Sequence, residues 1–203
     1  MRALRSAVVA AVFAAGATLV AAAAYIPAKA ALAQVLLERA WDRAQAGETN
    51  AKPWPWADIN PVAVLEVPRL KERSIVLEGA HGEAMAFGPG HMINTPTIGS
   101  RGTAIVAAHR DTQFRYLREL MDGDHIVVQT QDGGRSAFRV VETRIVRADA
   151  SGLDPDDGGP TGARLALVTC YPFNGVLHSP WRYVVLADRE SPSMAARDGG
   201  GEG

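Results

Sequence analysis

Two hydrophobic periods divide the chain. Residues 7–26 are apolar or small throughout and carry no charge. A helix over that stretch would span about 30 Å, the thickness of the hydrocarbon core of a bilayer. Strong helix formers continue through residues 28–46, where Leu32, Val35, Leu36, Arg39 and Ala40 recur at helical spacing before Gly47 marks a stop. This pattern predicts a helical stalk that extends the apolar helix, a spacer with no packing partner. Pro53 and Pro55 then forbid a helix, so residues 47–61 read as an extended linker, with Trp54 and Trp56 expected to pack on the first strand.

Beyond Pro61 the period drops to two. Residues 62–67 and 74–78 read as short strands flanking Pro68 and Arg69, residues 81–87 suit one helical turn, and residues 94–101 read as loop. A strand over 103–108 and a short helix over 111–120 come next, the helix turning Phe114, Leu117 and Leu120 toward the core. The turn signal Asp132, Gly133, Gly134 joins strands over 124–130 and 136–146 into a hairpin. Residues 164–169 are rich in apolar and β-branched side chains and end at Cys170. Residues 181–186 resume the pattern, with Arg182, Val184 and Leu186 on one face and Trp181, Tyr183 and Val185 on the other. Short strands so spaced predict an all-β domain, a small barrel or sandwich with minor helix. From residue 188 onward, Ser, Pro, Gly and charged residues predict a disordered tail.

A chain of 203 residues suits one domain with appendages. Its net charge of −1 gives no case for a nucleic-acid partner. Arg2 and Arg5 precede the apolar stretch and favour a cytoplasmic N-terminus. The stretch is longer than the 7–15 residues usual for a signal core, which favours an uncleaved anchor, although Ala28, Lys29 and Ala30 offer a signal-peptidase alternative. Either way the rest of the chain lies outside the cytoplasm.

The chain holds one cysteine, Cys170, so no internal disulfide can form. A lone cysteine is often a small buried hydrophobe. Here a second apolar run, 102–108, ends at His109, and Arg182 opens the strand after Cys170. If the two terminal strands pair, thiol and guanidinium share one pocket. His109 would keep the thiol ionised and later protonate a leaving amine. Arg182, permanently charged, would hold the carbonyl oxygen as negative charge develops there. His178 is a weaker base candidate, in the loop between the terminal strands, and His81, His91 and His125 have no matching partner. The histidines are too scattered to argue a metal site, and no cofactor is expected. Asp149, Asp154, Asp156 and Asp157 could in principle bind calcium, but they lack the EF-hand order and read as solvated loop charge.

The run Ala166, Leu167, Val168, Thr169, Cys170 resembles the Thr-Leu-x-Thr-Cys signature of sortases, with His109 and Arg182 where that family has its catalytic histidine and arginine. The segments 53–58, 86–91, 108–112 and 168–173 look like sortases of Gram-negative bacteria, close to class D. Two positions depart from the pattern: Ala166 replaces the first Thr of the signature, and Ala108 replaces a Gly common before the histidine. The resemblance implies an eight-stranded β-barrel over residues 53–187, preceded by a membrane anchor (1–27) and a helical stalk and linker (28–52). It implies catalytic His109, Cys170 and Arg182, with Ala108 and Thr169 in substrate binding. The implied reaction cleaves an LPxTG-like motif near the C-terminus of an exported protein, through a thioester passed to an unidentified amine. The implied location is the inner membrane, single-pass, with the catalytic domain on the periplasmic side. Two alternatives stay open: an exported cysteine hydrolase whose acceptor is water, and a non-catalytic membrane-tethered β domain in which Cys170 is core.

Overall fold

The structure, a computed structural model, describes residues 2–175 and 179–190. Contacts divide the chain into two compact units, the second beginning at Leu37. Helix α1 spans Arg2–Gln45. By length and composition, this helix can cross a membrane.

The second unit is a closed eight-stranded barrel. Its strands are β1 (Pro61–Val67), β2 (Glu72–Glu78), β3 (Gly90–His91), β4 (Gly102–Ala107), β5 (His125–Thr130), β6 (Arg135–Arg147), β7 (Ala163–Cys170) and β8 (Trp181–Arg189). They close in the order β1-β2-β3-β4-β7-β8-β6-β5. A short helix, α2 (Gly82–Phe87), precedes β3, and a 3-10 helix, Arg115–Glu119, follows β4. Phe114, Leu117 and Leu120 are buried there, as the spacing predicts. The two-residue β3 is not among the strands read from the sequence, because so short a strand leaves no periodicity to detect.

Strand alternation sends one set of side chains inward. Leu65, Val67, Val106, Val128, Phe138, Leu165, Leu167 and Val185 form the main core. The opposite faces are apolar too, as expected of strands whose runs are nearly continuous. Over β1 and β2 the outer face is covered: Leu37 and Trp41 of α1 pack with Ile59, Val64, Ile75 and Leu77, and Trp54 and Phe87 flank them. The end of the stalk therefore has a partner, contrary to the spacer reading. Its buried stripe is Leu37, Ala40, Trp41 and Ala44, while Leu32 and Val35 are exposed. Both stripes have helical spacing; the barrel selects the one that carries Trp41, whose burial removes the larger apolar area from water. Polar contacts fix the docking. Gln45 Nε2 donates to the carbonyls of Thr130 and Gln131 (2.9 and 3.0 Å), Gln129 donates to Gln45 Oε1, and Arg73 pairs with Glu38. Of the two tryptophans expected to pack, Trp54 meets Phe87 edge-on at 5.1 Å, whereas Trp56 is exposed.

β8 continues through Arg189, beyond the expected start of the tail at residue 188. Residues 191–203, the rest of that expected tail, lie outside the described residues.

Candidate active site

β7 and β8 pair antiparallel in a register that sets Cys170 opposite Arg182, Val168 opposite Val184 and Ala166 opposite Leu186. Successive strand residues point to opposite faces, so these three pairs share one face. That face is the outside of the barrel. Leu165, Leu167 and Val185 fill the interior, whereas Ala166, Val184 and Leu186 form a separate outer cluster with Ile105, Val146, Leu153 and Val168. A groove of about 550 Å³ is open over this face. Val168, Cys170, Arg182 and Val184 contribute to its lining, with Ile105 and Ala107 of β4 alongside. Met92, Asn94 and Thr95 line it from the segment before β4, and Ser151, Leu153 and Pro155 from the β6–β7 loop.

Cys170 is half-buried in this groove and belongs to no core cluster, which disfavours the reading of it as a packing residue. Arg182 Nη1 donates to the carbonyls of Ser179 and Trp181, at 2.8 and 2.9 Å. These bonds hold the guanidinium near the mouth of β8, one cross-strand position from the thiol.

His109 arrives from another direction. β4 and β7 run parallel, pairing Ala107 with Val168, and the Ala108 N–H donates to the Val168 carbonyl at 3.2 Å. Extending that register by two residues brings His109 level with Cys170. The side chain is exposed and is not part of the groove lining. Its backbone is held by the Phe114 N–H, which donates to the His109 carbonyl at 3.0 Å, and Phe114 is wholly buried. Ala108 and Thr169 both line the groove. The buried Thr169 hydroxyl donates to the Ala108 carbonyl at 2.7 Å, tying the residue before the histidine to the residue before the cysteine.

Several supporting contacts escaped the sequence reading. Tyr171 stacks on Tyr183 with ring centroids 6.4 Å apart, and Phe173 meets Tyr183 edge-on at 5.2 Å, which braces the turn that follows Cys170. Arg110, next to His109, donates to the Gly175 carbonyl of that same turn. The concentration of aromatics on both sides of the turn was the available signal; a side chain bonding to a distant backbone carbonyl leaves none.

The other histidines stand apart from this arrangement. His91 Nε2 lies 2.9 Å from the Pro96 carbonyl and His125 Nδ1 lies 3.3 Å from Glu190, while His178 is outside the described residues. Among the described residues no group of three or more His, Cys, Asp or Glu could hold a metal ion. The loop acids have local uses. Asp149 pairs with Arg147, whose hydrogen bond holds its carboxyl below the usual range; Asp154 accepts the Asp156 N–H; Asp157 accepts the Gly159 N–H.

A family model described as "Sortase domain" matches residues 65–190. Sortase D of Bacillus subtilis (strain 168) is 29% identical over 126 residues, a match covering 62% of this chain and 62% of that protein, under two thirds of its length. A mutant sortase E from Streptomyces avermitilis superimposes with a TM-score of 0.52 and 29% identity, covering 66% of this chain and 92% of that one. A Clostridium perfringens Sortase D5 transpeptidase superimposes at 0.55 over 76% of this chain and 89% of that one; at 19% identity it speaks for the fold alone.

Proposed function

Because this chain belongs to the sortase family, we propose that it is a cysteine transpeptidase that cleaves a sorting motif, LPxTG-like, near the C-terminus of exported proteins. Within the family we place it near class D. The observation that carries this reading is the cross-strand pairing of Cys170 with Arg182 on the floor of one open groove.

The chemistry follows from the groups. A free thiol has a pKa near 8.5, so an imidazolium from His109 is needed to hold a useful fraction as thiolate at neutral pH. The Cys170 sulfur attacks the carbonyl carbon of the scissile bond. Arg182 donates to the resulting oxyanion, and as it cannot act as a base its contribution is electrostatic. The C–N bond then breaks, the leaving amine takes the His109 proton, and the acyl group stays on sulfur as a thioester. In the second half-reaction an incoming amine loses a proton to His109 and attacks the thioester, and the thiolate leaves. Ala108 and Thr169 would bear on the bound peptide from beside the thiol. Helix α1 would anchor the enzyme as a single pass, with the barrel on the periplasmic side.

The test is mass spectrometry of the enzyme mixed with an LPxTG peptide, with and without added triglycine. An acyl adduct on the wild type, its absence in Cys170→Ala, and a peptide–triglycine product are expected. An adduct that persists in Cys170→Ala would remove the thiol from the reaction. Release of free acid alone, at saturating amine, would replace the transpeptidase by a hydrolase.

A further inference from the structure

β4 has one edge on β7 and another that is almost bare. β3 reaches only Val106 and Ala107, and the odd-numbered amides before them find acceptors outside any strand. The Ile105 N–H donates to Thr95 Oγ1 at 3.1 Å, and the Thr103 N–H donates to the Pro155 carbonyl at 2.8 Å. Thr103 adds a second bond, its hydroxyl donating to the Asp157 carbonyl, and at 2% exposure it is one of the few buried polar residues. Unpaired strand edges invite pairing; here the β6–β7 loop takes the place of the missing strand.

The neighbouring contacts reinforce that attachment. The Gly102 N–H donates to the Gly162 carbonyl at 3.0 Å, and Gly102 has φ +103° with the Pro155 carbonyl oxygen 2.3 Å from where a Cβ would stand. Only glycine lets the loop lie this close. Asp157 pairs with Arg164 at 3.4 Å, and Arg164 pairs with Asp188 of β8 at 2.7 Å. Pro155, whose carbonyl takes the Thr103 amide, and Ser151 and Leu153 just before it line the groove that holds Cys170.

We propose that Thr103 is a positioning residue for the groove: its amide and hydroxyl fix the β6–β7 loop, so that the wall carrying Leu153 and Pro155 is built before substrate arrives rather than closed by it. This rests on the reading of the groove as a peptide site. A preformed wall spares the bound complex the cost of ordering a loop, which appears in binding before it appears in the chemical step. Thr103 contacts none of the three reacting side chains through any bond described, so removing its hydroxyl leaves the thiol's own reactivity in place.

The test compares wild type with Thr103→Val, which keeps the shape and loses the hydroxyl, and Thr103→Ser, which restores it. Three quantities are read: hydrogen exchange over residues 151–159, KM and kcat for an internally quenched peptide containing Leu-Pro-Ala-Thr-Gly, and the rate of Cys170 alkylation by iodoacetamide. Thr103→Val should speed exchange across the loop and raise KM about tenfold, as loss of one buried hydrogen bond does, with kcat and alkylation within about twofold of wild type; Thr103→Ser should reverse both changes. Unchanged exchange and KM in Thr103→Val would overturn the proposal, as would a fall in kcat and alkylation matching the change in KM. Should Thr103→Val fail to fold, Thr103→Ala carries the test, because it removes the same hydroxyl without setting a methyl group against the Asp157 carbonyl. Faster loop exchange is expected there and unchanged exchange would overturn the idea. A wild type that ignores the peptide sinks the transpeptidase reading alone, since the exchange arm still decides the role of Thr103.

Discussion

The outside of the barrel offers two apolar faces with opposite fates. Over β1 and β2, Val64, Ile75 and Leu77 are sealed by Leu37 and Trp41 of α1. Over β7 and β8, Val168 and Val184 pack with Ile105, Val146 and the loop residue Leu153, and the space beyond them stays open with Cys170 and Arg182 at its floor. The two faces arise from the same alternation of nearly continuous apolar strands, so strand pattern alone does not distinguish scaffold from site. The difference lies in what the rest of the chain supplies: a tryptophan-bearing helix on one side, a pinned loop with a gap beneath it on the other. On the proposed function, the apolar surface left uncovered beside Cys170 is where a substrate replaces the missing side chains.

If the open face is a reaction site and the covered one is scaffold, substitutions should separate activity from stability. The largest effect on the open face is expected from Arg182→Lys. A point charge cannot reproduce a fork already held by the carbonyls of Ser179 and Trp181. Turnover should fall about 10²–10³-fold, the range for losing an oxyanion donor, with the thermal midpoint unchanged. Near-normal turnover of the folded variant would remove Arg182 from the oxyanion role and, with it, the distinction between the faces.

Trp41→Ala probes the covered face. The side chain is 4% exposed, and truncating a buried aromatic costs about 3 kcal/mol or more. Denaturant unfolding of the barrel unit should register that loss, while the variant, assayed well below its midpoint, should keep the wild-type kcat. A loss of kcat without a loss of stability would mean that the two faces communicate.

How much of this contrast could be read in advance differs between the faces. Every strand of five or more residues was legible, because the period of two survives over that length; β3 was not. The pairing of Cys170 with Arg182 was legible because a short loop joins two strands that must then be neighbours, and alternation puts the two residues on one face. That face proved to be the barrel's exterior, which no single strand reveals, since both of its sides are apolar. The docking stripe Leu37, Ala40, Trp41, Ala44 was present in the sequence beside a competing one, and only the shape of β1 and β2 decides between them. The edge contacts of Thr95 and Thr103 were out of reach, because the backbone amides and carbonyls they meet carry no residue-type signal.

His109→Ala sharpens the open face further, with a smaller effect. At pH 7 an unassisted thiol is only a few per cent thiolate. Alkylation of Cys170 by iodoacetamide at neutral pH should therefore slow about tenfold. Alkylation at the wild-type rate would detach His109 from the thiol and leave its place beside the end of β7 without a chemical purpose.

The smallest effect is expected on the scaffold side, at the Arg69–Asp124 pair that joins the β1–β2 turn to the start of β5. Arg69 Nε and Nη2 reach the two carboxylate oxygens at 2.5 and 2.7 Å, and the Met121 N–H donates to the same group at 2.8 Å. The Arg69 hydrogen bond, more than the Met121 amide, holds the Asp124 carboxyl below its ordinary range. A lowered folded-state value stabilises the fold above the unfolded carboxylate pKa, roughly 3.9, and that contribution disappears as pH falls through the folded value. Asp124→Asn should thus lower the melting temperature by a few degrees at pH 7, converge on wild type as the pH drops well below 3.9, and leave peptide cleavage at neutral pH untouched. A melting difference that stays constant down to the lowest pH would show that Asp124 acts through shape rather than charge. A drop in cleavage without a drop in stability would place this corner of the scaffold in contact with the open face.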